Sequence, residues 1–198
     1  MKFNKTLDEL KNGLKQLPGV GEKTAQRYAL YLLNQDKEKA IDLADTIKEA
    51  VELHSYCPKC NMLSDSNPCS ICADPDRDKR LICIVENTYD VYLIENTGEY
   101  SGFYFVLGHL LSPMDGIGTN EIHLPELLKS IEASEIEEII LALNPSTEGE
   151  TTIELIATEI AHLNKKITRL STGLPFGGNI EYSSPITLSN ALRRRYPI

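Results

Sequence analysis

Four cysteines in two C-x-x-C pairs constrain the fold of this chain more than any other feature. Cys57 and Cys60 form the first pair, Cys69 and Cys72 form the second, and eight residues separate the two pairs. Each pair lets two thiolates from one tight turn reach the same ion, and two such turns complete a tetrahedron around zinc. The spacing therefore predicts a compact knuckle that holds one structural Zn²⁺ ion, with no position left open for catalysis. Two disulfides or a redox pair are the alternative interpretation.

The composition indicates a protein of a reducing compartment. The chain begins with a polar segment rather than the apolar stretch of a signal peptide. No stretch approaches the roughly 20 consecutive apolar residues that cross a bilayer, so we expect a soluble, cytoplasmic protein without membrane contact. Cysteine is rare outside the two pairs, and the remaining Cys83 lies in an apolar run, where we expect it to be buried.

Charge is distributed unevenly along the chain, whose net charge is −9. Residues 84–164 carry fifteen acidic residues and one base, Lys129, whereas residues 1–31 and 165–198 each carry six bases against three acids and one acid respectively. An acidic block repels a phosphate backbone, so we expect any nucleic-acid contact on the terminal segments. Ordinary solvated faces are the alternative explanation of this pattern.

Hydrophobic periodicity predicts helices in the first part of the chain. A first helix starts near Thr6 and stops at Pro18-Gly19, and a third covers residues 40–51. The second begins after Gly21, and we expect it to bury a face made of Ala25, Tyr28, Ala29, Leu32 and Leu33.

From residue 80 the pattern changes to strands alternating with helices. Short apolar runs predict buried strands at 81–85, 139–143 and 167–170, and helical patterns lie around 90–95, 125–131 and 151–163. This alternation predicts a mainly parallel sheet with helices on both faces, whose ligand sites lie at the carboxyl ends of the strands. Glu86 and Asn144 each occupy such an end.

The turn between the first two helices carries a specific chemical pattern. Gly19 and Gly21 flank one apolar residue, and Lys23 and Arg27 follow at a spacing that puts both on one helix face. Free N–H groups and the helix dipole favour an anion at such a helix start. We therefore predict that these four residues bind a DNA backbone phosphate without reading base sequence. The segment resembles the helix-hairpin-helix DNA-binding motif, and a plain helix-turn-helix hairpin is the alternative.

The two strand ends resemble the metal site of a Toprim domain. Catalytic Toprim domains hold a divalent metal with a strand-end Glu and a later Asp-x-Asp. Here Glu86 matches the first position, but Asn144 and Ser146 stand where the two aspartates would be. Their loss is expected to weaken magnesium binding severely. Glu148 and Glu150 lie near a helix start, where they either replace the aspartates in part or simply favour the helix N-terminus.

The order of these motifs resembles that of the RecR family of bacterial recombination mediators. The likeness extends over nearly the whole chain and includes residues 72–78, 97–100, 111–118 and 173–182. We therefore predict a multidomain α+β protein. Its parts are a helix-hairpin-helix domain (1–53), a four-cysteine zinc finger (54–76), a Toprim domain (80–175) and a C-terminal segment with a short helix for oligomerisation or DNA contact (176–198).

The resemblance implies a function in recombinational DNA repair. Such proteins act with RecO and RecF, without catalysis, to load the recombinase onto single-stranded DNA coated by single-strand-binding protein. They assemble as rings, dimers or tetramers, that encircle DNA in the bacterial nucleoid. In that picture Glu86, Asn144 and Glu148 form a contact surface for basic RecO.

Two other functions remain open at this point. One is a magnesium-dependent nuclease or primase-like enzyme that uses Glu86, Glu148 and Glu150. The other is an architectural DNA clamp without a RecO-type partner.

Overall fold

The computed structural model describes residues 5–195 and residue 197. The outermost residues of the predicted domains 1–53 and 176–198, namely 1–4, 196 and 198, lie outside the described residues. The chain divides into two compact units, Met1–His54 and Ser55–Ile198. Within the described residues, none of the helices has the length and apolar character needed to span a membrane.

The first unit is helical, as predicted. Its helices are α1 (Lys5–Leu14), α2 (Glu22–Asn34) and α3 (Lys37–Leu53). Asp36 caps α3 by accepting a hydrogen bond from the backbone N–H of Glu38 at 3.2 Å.

Helix α2 buries a narrower face than its sequence pattern predicts. Ala25 and Ala29, one turn apart, are completely buried, and α1 is the main neighbour of α2. The predicted burial of Tyr28 and Leu33 is wrong, because these side chains are 41% and 57% exposed. One main neighbouring helix covers only a stripe of α2, so the periodic apolar residues beside that stripe remain in solvent.

The second unit combines a zinc-knuckle segment with a four-stranded sheet. Its elements are β1 (Ser55–Tyr56), β2 (Leu63–Ser64), α4 (Ser70–Ala73), β3 (Asp78–Val85), α5 (Thr88–Glu95), β4 (Gly102–Val106), α6 (Leu124–Glu132), β5 (Glu138–Ala142), α7 (Thr147–Ile160), β6 (Lys166–Arg169) and α8 (Pro185–Arg193). The large sheet has the order β4-β3-β5-β6, and every neighbouring pair is parallel. The predicted multidomain α+β fold with a mainly parallel sheet is confirmed.

Strand β3 is buried on both faces, as its continuous apolar sequence predicts. Ile82 and Ile84 belong to the larger core, which also contains side chains of α6 and α7. Cys83 and Val85 point to the opposite face and belong to a second core with the zinc-knuckle cysteines. Cys83 is only 2% exposed, which confirms its predicted core position, and burial raises the pKa of this thiol to about 12.

The sequence patterns gave no indication of β4. This strand pairs with β3 at one edge of the sheet, and its residues Tyr104, Phe105 and Val106 are buried. The aromatic and β-branched run Phe103–Val106 is a signal that identifies it in retrospect.

Candidate functional site

The four cysteines converge on one point. Their Sγ atoms all lie within 4.8 Å of one another. Cys57 and Cys60 occupy the turn between β1 and β2, and this turn is closed by a hydrogen bond from the N–H of Asn61 to the carbonyl of Cys57 at 2.8 Å. Cys69 and Cys72 lie at the start and within the first turn of α4. The spacing of the two pairs therefore predicted their meeting correctly.

Backbone donors support negative charge on these sulfurs. The N–H of Cys69 donates to Cys57 Sγ at 3.5 Å, and the N–H of Cys72 donates to Cys69 Sγ at 3.4 Å. Hydrogen bonds to a thiolate favour the charged form that binds a metal. All the described cysteines are free thiols, and Cys60 Sγ lies 3.6 Å from Cys69 Sγ, well beyond the roughly 2.05 Å of a disulfide.

The acidities of the thiols show why this cluster suits a cation. The pKa of Cys60 is lowered to about 6, chiefly because the Cys72 thiol donates a hydrogen bond to its sulfur. The same hydrogen bond raises the pKa of Cys72 far above its usual range, and burial raises that of Cys69 to about 11. In the absence of a cation, ionisation of one thiol thus disfavours ionisation of its neighbours. A bound divalent ion stabilises all four thiolates together, and structural Zn²⁺ prefers such a closed set of four sulfur ligands.

Direct hydrogen bonds attach this zinc knuckle (residues 55–74) to the edge of the sheet. The N–H of Val106 donates to the carbonyl of Cys60, and Asn61 Nδ2 donates to the carbonyl of Val106, both at 2.8 Å. The N–H of Leu63 donates to Thr88 Oγ1 at 3.0 Å. The knuckle therefore covers the end of edge strand β4.

A partly buried polar network that sequence reasoning missed lies next to the knuckle. The guanidinium of Arg77 donates to the carboxylate of Glu95 and to the carbonyl of Gly102. Tyr104 Oη donates to Glu95 Oε1 at 2.7 Å, and Arg77 lies 5.8 Å from the centre of the Tyr104 ring. The network joins the segment after the second cysteine pair to α5 and β4. Arg77 lies in the segment 72–78, whose likeness to the RecR family was the only sequence signal for it.

The structure brings Glu86 and Asn144 together. They follow the neighbouring strands β3 and β5, and Asn144 Nδ2 donates a hydrogen bond to Glu86 Oε2 at 2.9 Å. An aspartate at residue 144 would repel this carboxylate unless a cation lay between them. The amide instead satisfies the carboxylate without a metal.

The second aspartate position has a capping role. Ser146 Oγ accepts a hydrogen bond from the N–H of Gly149 at 3.0 Å and so caps α7. A Cβ atom on Gly149 would collide with the backbone carbonyl of Asn144. Glycine therefore allows α7 to start directly against the end of β5.

The two later glutamates do not join Glu86 in a carboxylate cluster. Glu150 forms a bidentate ion pair with Arg169 at 2.9 and 2.6 Å, which lowers the pKa of the carboxyl. Glu148 is exposed, and its side chain has no hydrogen-bonding or ionic partner within the described part of the chain. In that same part, the four cysteines are the only group of three or more side chains arranged to hold a metal.

The glycine turn has the conformation that its sequence indicates. Gly19 adopts a positive φ of 75°, which favours glycine, and Gly21 is the N-cap of α2. Lys23 and Arg27 are both exposed on α2. Among residues 5–195 neither has a carboxylate partner. Within that range, the hairpin thus presents two cations without a carboxylate partner beside the unpaired N–H groups of the first helical turn, and the Arg27 guanidinium lies 5.5 Å from the centre of the Tyr28 ring.

Two other lysines of this unit, Lys11 and Lys15, are neutralised by a carboxylate. Both form ion pairs with Glu22, at 2.9 Å and 2.6 Å respectively. These lysines lower the pKa of Glu22 to about 2 through hydrogen bonds, Lys15 contributing most. Sequence reasoning counted all the bases together and missed this division of roles.

The fold and these sites define a protein that combines a helical hairpin, a four-cysteine zinc finger and a Toprim domain. Comparison with models of known protein families identifies the same three parts. The RecR helix-hairpin-helix model matches residues 7–51, the RecR four-cysteine zinc finger domain model matches 55–74, and the Toprim domain model matches 80–171.

Curated relatives cover almost the full chain. The "Recombination protein RecR" of Halorhodospira halophila is 45% identical over 98% of this chain and 96% of its own length. That of Gloeobacter violaceus is 42% identical over 99% of this chain and 100% of its own length. That of Bifidobacterium longum is 41% identical over 98% of this chain and 96% of its own length. The chain belongs to the RecR family. Its zinc finger model and the four converging sulfurs confirm the prediction of one zinc ion as cofactor.

Removal of one zinc ligand should destabilise the second unit. We expect Cys69→Ala to lose its zinc, because three crowded thiols no longer complete the tetrahedron, and to lower the unfolding temperature by at least about 10 °C. Zinc content is measured with a chromogenic chelator, and unfolding is measured by calorimetry. Cys83→Ala removes a buried thiol outside the cluster and should retain one zinc per chain. Full zinc content in Cys69→Ala would contradict this role.

Restoring the two aspartates should restore magnesium binding. We expect millimolar Mg²⁺ to raise the unfolding temperature of the double variant Asn144→Asp/Ser146→Asp by about 3 °C or more, since its carboxylates need a cation beside Glu86. Aspartate caps a helix as well as serine does, so α7 should remain intact. The unaltered protein is the control, and a similar Mg²⁺-dependent rise in it would show that the site binds magnesium without the aspartates.

Proposed function

We propose that this protein is a DNA-binding recombination mediator without catalytic activity of its own. The observation that carries the proposal is the hydrogen bond between Asn144 and Glu86, which occupies the place of the Toprim metal site. The relatives' name, Recombination protein RecR, supports a function in recombination.

The proposed DNA contact is the glycine turn of the first unit. Gly19 and Gly21 let the backbone approach a phosphate, and Lys23 and Arg27 add two exposed positive charges next to it. Contacts of this kind position a protein on DNA without reading its sequence. Both single- and double-stranded DNA offer the phosphates that this site requires.

The proposed partner contact lies at the carboxyl ends of the strands. Glu86, Asn144 and the free carboxylate of Glu148 are located there, in a segment with fifteen acidic residues and one base. Such a surface favours a basic protein. We propose that RecO binds it, and that RecF cooperates with both in loading the recombinase onto single-stranded DNA.

The proposed assembly is a ring of two or four chains that encircles DNA in the bacterial cytoplasm, near the nucleoid. Exposed apolar side chains along α3, such as Ile47 and Val51, support burial between copies. We also propose the division into functional domains at 1–53, 54–76, 80–175 and 176–198.

The alternative of a magnesium-dependent nuclease or primase-like enzyme has less support. It requires a carboxylate cluster, whereas Glu150 is paired with Arg169 and Asn144 supplies an amide. Magnesium-dependent cutting of DNA that Glu86→Gln abolishes would contradict the mediator proposal.

Loss of the two exposed hairpin cations should weaken DNA binding. We expect Lys23→Ala/Arg27→Ala to bind DNA at least about tenfold more weakly. The slope of log Kd against log salt concentration should fall by about 2, because two phosphate contacts are lost. Fluorescence anisotropy with labelled DNA measures both. The control Lys37→Ala/Lys39→Ala removes the same charge from α3 of the same unit and should change neither. Equal salt slopes in all three proteins would exclude the hairpin as the contact.

Loss of the free carboxylate on α7 should weaken partner binding. We expect Glu148→Ala to lower the affinity for purified RecO from the same genome by about tenfold, since an exposed charge at the centre of a contact is lost. Glu135→Ala is the matched control, because Glu135 is an exposed carboxylate that precedes β5 and so lies at the opposite end of the sheet. If the unaltered protein does not bind RecO, an architectural clamp without this partner becomes the better interpretation.

A further inference from the structure

Three exposed tyrosines and a leucine lie on two neighbouring elements of the second unit, the β1–β2 pair and the start of α5. Tyr56 and Leu63 are opposite each other in the β1–β2 pair, and the N–H of Leu63 donates to Thr88 Oγ1 at the start of α5. Tyr89 is the next residue, and Tyr92 lies one turn further along the same helix face. The three tyrosine side chains are 68%, 67% and 55% exposed. We call Tyr56, Leu63, Tyr89 and Tyr92 the tyrosine surface.

Structured backbone holds this surface in place. A capping box starts α5, with Asn87 Oδ1 accepting from the N–H of Asp90 at 3.2 Å and Asp90 Oδ2 accepting from the N–H of Asn87 at 3.1 Å. Val91, between the two tyrosines of α5, is completely buried and anchors the helix. Tyrosines on a rigid helix lose little entropy when a ligand covers them, and they are enriched at the centres of protein interfaces.

The charges around the surface favour a protein ligand over a nucleic acid. Glu86 lies two residues before α5, and the exposed Asp65 follows β2 directly. The segment 84–164 that contains α5 has a single base, Lys129, on α6. Aromatic rings can stack on bases, but binding to single-stranded nucleic acid also requires a positively charged groove for the backbone. Acidic residues border the tyrosines of α5 here, and the turn between Tyr56 and Leu63 adds one exposed base, Lys59.

We propose that the tyrosine surface is a docking surface for the basic face of a protein partner, with arginine side chains stacked on the tyrosine rings. Guanidinium groups stack on aromatic faces and at the same time pair with carboxylates, and Glu86 supplies a carboxylate two residues before the helix that carries Tyr89 and Tyr92. The inference rests on the proposed function, because it extends the acidic RecO contact at Glu86 and Glu148 across α5 to the knuckle hairpin. One partner face then covers both the charged and the aromatic residues.

Two double variants test the role of the rings. We expect Tyr89→Ser/Tyr92→Ser to bind purified RecO from the same genome about tenfold or more weakly, because both stacking faces are removed. Tyr89→Phe/Tyr92→Phe retains the rings and should bind within about twofold of the unaltered protein. Isothermal titration calorimetry measures the affinities. Tyr56→Ser, on the knuckle hairpin, tests the surface independently of α5.

The outcomes separate this inference from the function on which it rests. If Glu148→Ala weakens RecO binding but none of the serine variants does, the tyrosine surface is excluded and the acidic contact stands. If the unaltered protein does not bind RecO, the proposed partner fails and this inference fails with it. A serine variant that loses single-stranded DNA affinity but retains RecO affinity would instead identify a base-stacking surface. A serine variant that retains RecO affinity but has a different solution mass, as measured by light scattering, would identify a contact between copies of the chain.

Discussion

The burial of β3 on both faces is the constraint on which the second unit depends. Alternate side chains of this strand enter two separate cores, with Ile82 and Ile84 on one side and Cys83 and Val85 on the other. A strand in this position needs cover on each face and a parallel neighbour at each edge. Helices α6 and α7 contribute to one core and the zinc-knuckle cysteines to the other. The carboxyl end of the same strand then delivers Glu86 to the rim of the sheet.

A short series of backbone hydrogen bonds links the zinc cluster to this rim. The carbonyl of Cys60 accepts from Val106, and the next two residues, Leu107 and Gly108, donate to the carbonyls of Val85 and Glu86. Glu86 in turn accepts from Asn144. The metal ligands and the strand-end site are therefore parts of one continuous hydrogen-bonded framework. A structural ion in this position stabilises the backbone beneath the proposed partner surface, without itself contacting the partner.

Local patterns predicted the features that depend on neighbouring residues or on general topology. Cysteine spacing predicted the metal cluster, and the strand pattern placed Glu86 and Asn144 each at the carboxyl end of a parallel strand, where the structure joins them by a hydrogen bond. Patterns failed where a side chain's environment is set by distant parts of the chain. The burial of Tyr28 depends on how much of α2 its neighbours cover, and the contacts of Arg77 depend on how β4 and α5 lie beside it. Periodicity carries no information on either.

The cap at Ser146 has an evolutionary consequence. Serine and aspartate are nearly equivalent at the start of a helix, so folding stability places little restriction on which of them occupies this position. Asn144 likewise retains a partner in Glu86 without a metal. Exchange of either aspartate of a Toprim metal site for these residues is thus compatible with a folded sheet and an intact α7. In the proposed function, the same strand ends then serve recognition instead of metal binding.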